Sequence, residues 1–448
     1  MKSKIYILFI ILSLIVVTVF SLINQTVSVL LFYFVLHAIN FLLIRRCSAR
    51  EKKIFHYILN FGILFSIALY SIYITRYGNP YFSSGSDDLE YEILGQFLST
   101  RMGIFDYGYM SQLHPDLVSH NSPAYVYLIS LLAKFGNWFD GFHTLLPKIL
   151  NSGLLAWSAV LAYRISKNNL HTDEKTAYSI ALGSGLMPIM LYNSAHTFRE
   201  IVIAFSLLLI VYLWLSYKNE LFFTRLGIII TSILVIIVLT DLRSFVALGA
   251  GFVVILSWIR ISTRKNDFYS LLILLLFFLG LILFGMFSFQ AGLIDQLVSR
   301  FIRNHTRYMQ YRASLAPGFT NFIFTSREPL GSIFRTLFLM FSPYLRISIQ
   351  PEIIFLSLGT IVQIIFIPFL FFGTYIIIRM RSSFPLWAMF WGFFIGEAAI
   401  SFSWRHLAFF YPLGVVLAGF GFYQWKKRRS KNNQAISNPS HQSALNAC

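Results

Sequence analysis

The sequence predicts an all-α polytopic membrane protein with about twelve transmembrane helices and two external loops that carry interfacial helices. Hydrophobic residues make up 57% of the 448 residues and charged residues only 12%, whereas soluble domains carry about 25% charged residues. Apolar runs of about 17–25 residues recur along the chain, which is the length needed to cross a bilayer. Only two cysteines are present, Cys47 and Cys448, which excludes a disulfide scaffold and a cysteine-based metal site.

Hydropathy places the predicted spans in order along the chain. The first, 5–23, follows Lys2 and Lys4 and is too long for the apolar part of a signal peptide. The apolar runs predict the further spans 27–44, 54–75, 148–165, 176–192, 201–217, 226–240, 244–261, 267–289, 352–378, 384–402 and 406–424. Three helices in 1–75, a core in 148–289 and C-terminal helices in 352–425 therefore flank two loops, 76–147 and 290–351.

The basic residues predict the orientation of these spans. With a cytoplasmic N-terminus, every loop on the same side is basic or mildly so, as the positive-inside rule requires. These loops are Arg45–Lys53, Arg164–Lys175, Lys218–Arg225, Arg260–Lys265, Arg379–Arg381 and Lys426–Lys431. We therefore expect both termini in the cytoplasm and both long loops outside, and we attribute the formal charge of +18 to topology rather than to nucleic-acid binding.

This orientation holds only if two shorter apolar stretches do not cross the membrane. Ala124–Phe135 and Phe334–Leu345 are short and carry Pro, Tyr or basic residues near their ends, so we interpret them as helices at the outer interface. A further short helix is predicted over Leu89–Leu98, after Ser86 and Asp87, which suit an N-cap. The polar segment 426–448 is predicted to be a disordered cytoplasmic tail.

The first external loop concentrates acidic residues at its start. Five of the 18 acids are Asp87, Asp88, Glu90, Glu92 and Asp106. Carboxylates gathered at the end of a membrane helix indicate a site, and a carboxylate is the usual base for a group that attacks an anomeric carbon. Asp87 and Asp88 are the catalytic candidates, an N-cap in a solvated loop being the alternative. We interpret Glu90 and Glu92 as solvated residues of a helix face.

Histidines later in the same loop raise the question of a metal. His114, Asp116 and His120 carry ligand types that a divalent metal accepts. Their spacing in a loop is a weak signal, and polar surface residues are the favoured interpretation. We therefore predict no metal site, while a divalent metal at the acidic pair stays open as a cofactor.

Arginines lie at the outer ends of several predicted spans. Arg199 precedes Glu200, Arg243 follows Asp241, and Arg405 and His406 follow the membrane-embedded Glu397. Arginine suits phosphate geometry, although charged residues at a membrane boundary also act as interfacial anchors. The second loop adds Arg300, Arg303, Arg307, Arg312, Arg327, Arg335 and Arg346. These bind either lipid headgroups or substrate phosphates.

Together these residues resemble the GT-C superfamily of membrane glycosyltransferases, the group of protein O-mannosyltransferases and lipid A aminoarabinose transferases. The matching segments are the acidic pair with its following tyrosine (Asp87 to Tyr91), Asn121 to Tyr127, Gly136 with Lys148, Met187-Pro188 to Arg199-Glu200, and Arg405 with Pro412. The resemblance covers residues 76–217, and the rest of the chain matches only in hydropathy. This sequence departs from the family pattern in two ways. The large loop follows the third span instead of the first, and Asp88 stands where the family has Glu.

The resemblance implies that Asp87 is the catalytic base and that the donor is a sugar on a polyprenyl phosphate, whose leaving phosphate the arginines stabilise. Asp88 is the second acid of the catalytic pair. We expect ten further residues to bind substrate: Tyr91, His114, His120, Tyr125, Lys148, Arg199, Glu200, Arg243, Arg405 and His406.

Three functions follow from these observations. The first is a glycosyltransferase that moves a sugar from a polyprenyl-phosphate donor to a glycan, lipid or protein at the outer face of a bacterial cytoplasmic membrane. The second is an O-antigen or polysaccharide polymerase that uses polyprenyl-diphosphate oligosaccharides, which the arginine-rich second loop favours. The third is a flippase or carrier of lipid-linked sugars, which predicts charges at mid-membrane depth in several helices.

Overall fold

The computed structural model describes residues 5–81, 87–104, 106–107, 122–217, 220–262, 330–342, 350–380, 383–400 and 404–437, together with Gln310 and Phe322. Its α-helices are α1 (Ile5–Asn24), α2 (Val27–Ile44), α3 (Ala49–Tyr77), α4 (Asp87–Ser99), α5 (Pro123–Asn137), α6 (Leu145–Arg164), α7 (Glu174–Leu186), α8 (Pro188–Ser194), α9 (Glu200–Ser216), α10 (Phe222–Leu242), α11 (Ser244–Ser262), α12 (Leu330–Leu339), α13 (Pro351–Arg379), α14 (Phe384–Ile400) and α15 (Tyr411–Ser437). A π-helical turn, Ile165–Asn169, extends α6, and a 3₁₀ turn, Trp404–Phe409, precedes α15.

Six helices in the described part of the chain are long and apolar enough to cross a membrane. They are Tyr6–Asn24, Val27–Ile44, Ala49–Tyr77, Leu145–Asn169, Phe223–Leu242 and Glu352–Arg379. This is consistent with an α-helical integral membrane protein. The predicted span 267–289 lies outside the described residues, and the number of twelve spans stays a prediction.

The predicted single span 176–192 is wrong in one respect, because two helices occupy it. Helix α7 ends at Leu186 and α8 begins at Pro188, with Met187 between them at ψ 135°. A residue that precedes proline is disfavoured in the α region, so the Met187-Pro188 step breaks the helix. The break turns the chain toward the segment that carries Arg199.

The shorter helices of the predicted loops are present with shifted ends. The stretch Leu89–Leu98 lies within α4 and Ala124–Phe135 within α5, which starts at Pro123 in the favoured first-turn position. The stretch predicted as Phe334–Leu345 corresponds to α12, which begins at Leu330 and ends at Leu339. The prediction ran through Pro343, although a helix usually ends before the residue that precedes a proline.

The buried core lies among α3, α6, α7, α9, α13 and α15. Helices α13 and α15 approach closely because two glycines face each other: a Cβ on Gly421 would collide with Phe369 O, and one on Gly373 with Leu417 O. Helix α15 continues to Ser437, so the predicted disorder of 426–448 is wrong as far as that residue. The lysines and arginines of this stretch are good helix formers.

Helix α3 is held against α6 near the starting end of α3. Ser48 and Glu51 form a capping box there, with each side chain bonded to the other's backbone N–H. Glu51 Oε1 also lies 2.5 Å from Arg164 Nε on α6. This pairing fixes one end of the two helices, and toward their other end Tyr73 of α3 contacts His196 and Lys148 of α6 contacts Pro80 O.

Candidate functional site

The first turn of α4 carries the two candidate catalytic acids. The Asp87 side chain is half exposed, whereas Asp88 is buried and its Oδ1 accepts the N–H of Leu89. Tyr91, one turn later, packs edge-on against Tyr125 of α5, with ring centroids 5.0 Å apart. Helix α5 therefore packs against α4 close to its first turn.

The 3₁₀ turn Trp404–Phe409 brings a cation to this acid. Arg405 Nη2 lies 2.5 Å from Asp87 Oδ2, although the two residues are 318 positions apart. Arg405 Nε lies 3.1 Å from Glu200 Oε1 at the start of α9, a charge contact rather than an aligned hydrogen bond. The guanidinium also stacks over Phe198, 4.5 Å from the ring centroid. One arginine thus joins the start of α4 to the start of α9.

The neighbouring His406 connects this arginine to a second one. His406 Nδ1 lies 2.5 Å from Glu397 Oε1 and 3.0 Å from Arg243 Nη2, and Arg243 Nη2 lies 3.7 Å from Glu397 Oε2. His406 Nε2 is 3.9 Å from Glu200 Oε1, so Glu200 lies between both branches. We call these six residues the arginine cluster: Asp87, Glu200, Arg243, Glu397, Arg405 and His406.

The electrostatics of the arginine cluster differ at its two arginines. Burial alone would lower the pKa of Arg405, but Glu200 and Asp87 raise it above its usual range. Burial lowers the pKa of Arg243 to about 10, and Glu397 only partly opposes this. Both arginines remain cationic at neutral pH, and Arg405 is the one whose charge its partners stabilise most.

Arg199 lies beside the cluster and is directed at backbone. Its Nη1 donates to Leu242 O at 3.2 Å, and Ser122 Oγ donates to the same carbonyl at 2.8 Å. Leu242 ends α10, where free carbonyls attract cations. Nearby, Tyr107 OH donates to Asp241 Oδ2 at 2.5 Å. These bonds fix the turn that carries Arg243.

A second polar group lies one turn further along α4. Glu92 is only 1% exposed, so our interpretation of it as a solvated residue is wrong. Its carboxylate accepts the hydroxyls of Tyr81, at 2.7 Å, and of Thr144 and Thr197. Burial raises the pKa of Glu92, while Lys148 and the hydroxyls oppose the rise. We call Tyr81, Glu92, Thr144, Lys148 and Thr197 the Glu92 cluster.

The Glu92 cluster anchors the segment that precedes Arg199. Lys148 is 1% exposed, and its Nζ donates to Pro80 O at 3.4 Å. One turn later, Asn151 Nδ2 donates to His196 O and Phe198 O. Burial lowers the pKa of His196 to about 3, and its Nε2 lies 3.2 Å from Tyr73 OH. A neutral histidine therefore ties this segment to α3.

The structure brings most of the predicted site residues into the arginine cluster or its buried surroundings. Asp87, Glu200, Arg243, Arg405 and His406 meet in the arginine cluster. Asp88, Tyr91, Tyr125, Lys148 and Arg199 are buried around or beneath it. His114, His120 and Asp116 lie outside the described residues. Within the described part of the chain, no three His, Cys, Asp or Glu side chains come together as a metal site.

Sequence reasoning missed several polar residues. Glu92 has a readable signal, because it lies four positions after Asp88 and so on the same helix face. Thr144 and Thr197 carry no such signal. Among the second-loop arginines, Arg335 is buried and its Nε donates to Ala398 O near the end of α14, at 2.9 Å. Arg335 therefore caps a helix end, while the other six lie outside the described residues.

The chain matches no protein-family model, no curated protein and no solved structure. The chemistry available at the site is that of its side chains. A half-exposed carboxylate can accept a proton, and a guanidinium edge can bind two oxygens of a phosphate.

Proposed function

We propose that this protein is a membrane glycosyltransferase of the GT-C kind. It transfers a sugar from a polyprenyl-phosphate donor to a glycan, lipid or protein acceptor. The reaction takes place at the outer face of a bacterial cytoplasmic membrane, with both termini of the chain in the cytoplasm. The observation that carries this proposal is the contact between Asp87 and Arg405, which sets a proton acceptor beside a phosphate-binding cation.

The transfer step uses these two side chains in complementary roles. The acceptor oxygen attacks the anomeric carbon of the donor sugar while Asp87 takes the acceptor's proton. The bond between the anomeric carbon and the phosphate oxygen breaks, and polyprenyl phosphate leaves with the bonding electron pair. Arg405, supported by Arg243, stabilises the charge that develops on the leaving phosphate.

The arginine cluster has a buried side and a more exposed side, and this arrangement supports the proposal. Glu200 and Glu397 hold Arg405, His406 and Arg243 from the buried side. Asp87 approaches from the more exposed side. A donor phosphate and an acceptor hydroxyl would thus meet between α4 and the 3₁₀ turn.

Turnover of lipid-linked sugars tests the proposal. Purified protein in lipid nanodiscs is given sugars linked to undecaprenyl monophosphate or undecaprenyl diphosphate, together with candidate acceptors, and release of the lipid phosphate is followed. We expect turnover of a monophosphate-linked sugar that is lost in both Asp87→Asn and Arg405→Ala. Turnover of diphosphate-linked oligosaccharides alone, unaffected by Asp87→Asn, would refute the proposal and identify a polymerase.

A further inference from the structure

The phosphate-binding edge of Arg405 is already occupied by carboxylates. Nε and Nη2 form the side of a guanidinium that binds two oxygens in parallel. In this structure Nη2 contacts Asp87 Oδ2 at 2.5 Å and Nε contacts Glu200 Oε1 at 3.1 Å. A phosphate that binds this edge must therefore replace one of the two carboxylates.

Burial decides which carboxylate gives way. The Glu200 side chain is 1% exposed and the Asp87 side chain is 47% exposed. If Glu200 moved away from Arg405, its own charge would stay buried without a cation, which is costly. Asp87 can instead turn toward water, which solvates its carboxylate. Glu200 also faces His406 Nε2 at 3.9 Å, which gives it a second reason to stay.

We infer that the singly charged phosphodiester of the donor displaces Asp87 from Arg405 and thereby releases the carboxylate that acts as the base. The inference rests on the proposed function and deepens it, because it names Asp87 as the internal occupant of the phosphate site. The exchange itself breaks no covalent bond. In the transfer that follows, Asp87 accepts the acceptor's proton, passes it to water, and returns to Arg405 when polyprenyl phosphate leaves.

Two consequences follow from the exchange. A carboxylate paired with a guanidinium is a weaker base than a solvated one, so Asp87 becomes effective only after the donor binds. The donor must therefore be bound before the proton of the acceptor can be taken. The product polyprenyl phosphate also competes with Asp87 for Arg405, so removal of the Asp87 charge favours the bound phosphate.

Binding of undecaprenyl phosphate to the protein in phosphatidylcholine nanodiscs tests the exchange without any turnover. Asp87→Asn should lower the Kd about three- to fivefold, since a partly exposed ion pair of this strength no longer competes. Glu90→Gln is the matched control, because it removes one negative charge from the exposed face of the same helix. It should leave the Kd within about twofold.

A double-mutant cycle separates the exchange from general electrostatics. Arg405→Gln should weaken binding of undecaprenyl phosphate, and adding Asp87→Asn to it should produce no further tightening, since the contested cation is gone. Equal tightening by Glu90→Gln, or tightening by Asp87→Asn that persists without Arg405, would overturn the inference. So would an unchanged or higher Kd in Asp87→Asn.

Failure of the inference and failure of the proposed function look different in this experiment. If Asp87→Asn abolishes turnover of the monophosphate-linked sugar but leaves the Kd of undecaprenyl phosphate unchanged, the glycosyltransferase stands and the exchange is refuted. If the wild-type protein neither binds undecaprenyl phosphate nor releases it from any donor, the proposed function fails and the exchange fails with it.

Discussion

Two polar clusters lie side by side on α4, and they satisfy their charges in opposite ways. In the Glu92 cluster, three hydroxyls donate to one carboxylate, and a buried lysine acts on it through space. In the arginine cluster, three carboxylates contact two arginines and a histidine, and the outermost carboxylate, that of Asp87, is half exposed. The first arrangement is enclosed by the protein, whereas the second has one member, Asp87, within reach of water.

The difference shows how one short helix serves two purposes. A buried carboxylate with all its hydrogen bonds made holds its surroundings in one arrangement. An ion pair with one water-exposed partner contributes little to stability and can reorganise at low cost. Glu92 therefore fixes the position of α4, while Asp87 at its start remains available for chemistry. Variants in the two clusters can separate these roles.

Loss of the Asp87 carboxylate should have the largest effect. In Asp87→Asn we expect kcat to fall about 10²- to 10⁴-fold, the range for removal of a general base, because an amide cannot accept the proton. Initial rates of lipid-phosphate release measure this. Glu90→Gln on the same helix is the control and should keep its rate. A wild-type rate in Asp87→Asn would show that Asp87 is not the catalytic base.

Breaking the Glu92 cluster should instead affect stability. Lys148→Met removes a buried cation that acts on the Glu92 carboxylate through space and that donates to Pro80 O, which should destabilise the protein by about 1–3 kcal/mol. Thermal unfolding in detergent measures this loss as a lower Tm. The double variant Lys148→Met/Glu92→Gln should recover most of it, since both charges are then absent. No recovery in the double variant would show that the two side chains do not act as a pair.

The segment before Arg199 should be sensitive to acid. Because the pKa of His196 is lowered to about 3, the folded state stays uncharged there, while the unfolded state takes up a proton below about pH 6.5. Above that pH, His196 costs the folded state nothing. As the pH falls, it lowers the free energy of unfolding, by about 2 kcal/mol at about pH 5.

A pH series of unfolding midpoints measures this loss. His196→Gln should flatten the fall of Tm between about pH 6.5 and 5, because glutamine binds no proton in either state. His171→Gln, which changes an exposed histidine, serves as the control and should keep the wild-type slope. An unchanged slope in His196→Gln would mean that other groups cause the acid sensitivity.

The smallest expected effect is on the stability of Asp87→Asn. Since the Asp87 side chain is 47% exposed, loss of its pair with Arg405 should change the free energy of unfolding by less than about 1 kcal/mol. The same thermal unfolding assay measures it beside Glu90→Gln. A loss of stability comparable to that in Lys148→Met would show that Asp87 has a structural role like that of the Glu92 cluster.

The sequence was a good guide to local structure. Helices α1 and α2 match their predicted spans within one residue, because apolar length alone decides where a helix can cross a bilayer. The helical pattern of α4 was also readable. The errors occurred where proline chemistry overrides hydropathy, as at Met187-Pro188 and at Pro343.

Hydropathy and charge by themselves determined that this is a helical chain with membrane-length apolar helices and an acidic segment after the third. Both properties are local, since they depend on composition within a window of residues. Which charges meet depends on how distant segments pack. Arg405 contacts Asp87 across 318 residues, and Glu92 is buried beneath hydroxyls from two other segments. A sequence with several arginines and acids allows many pairings, and the packing of α4 against α5, together with the contact from the 3₁₀ turn, selects one of them.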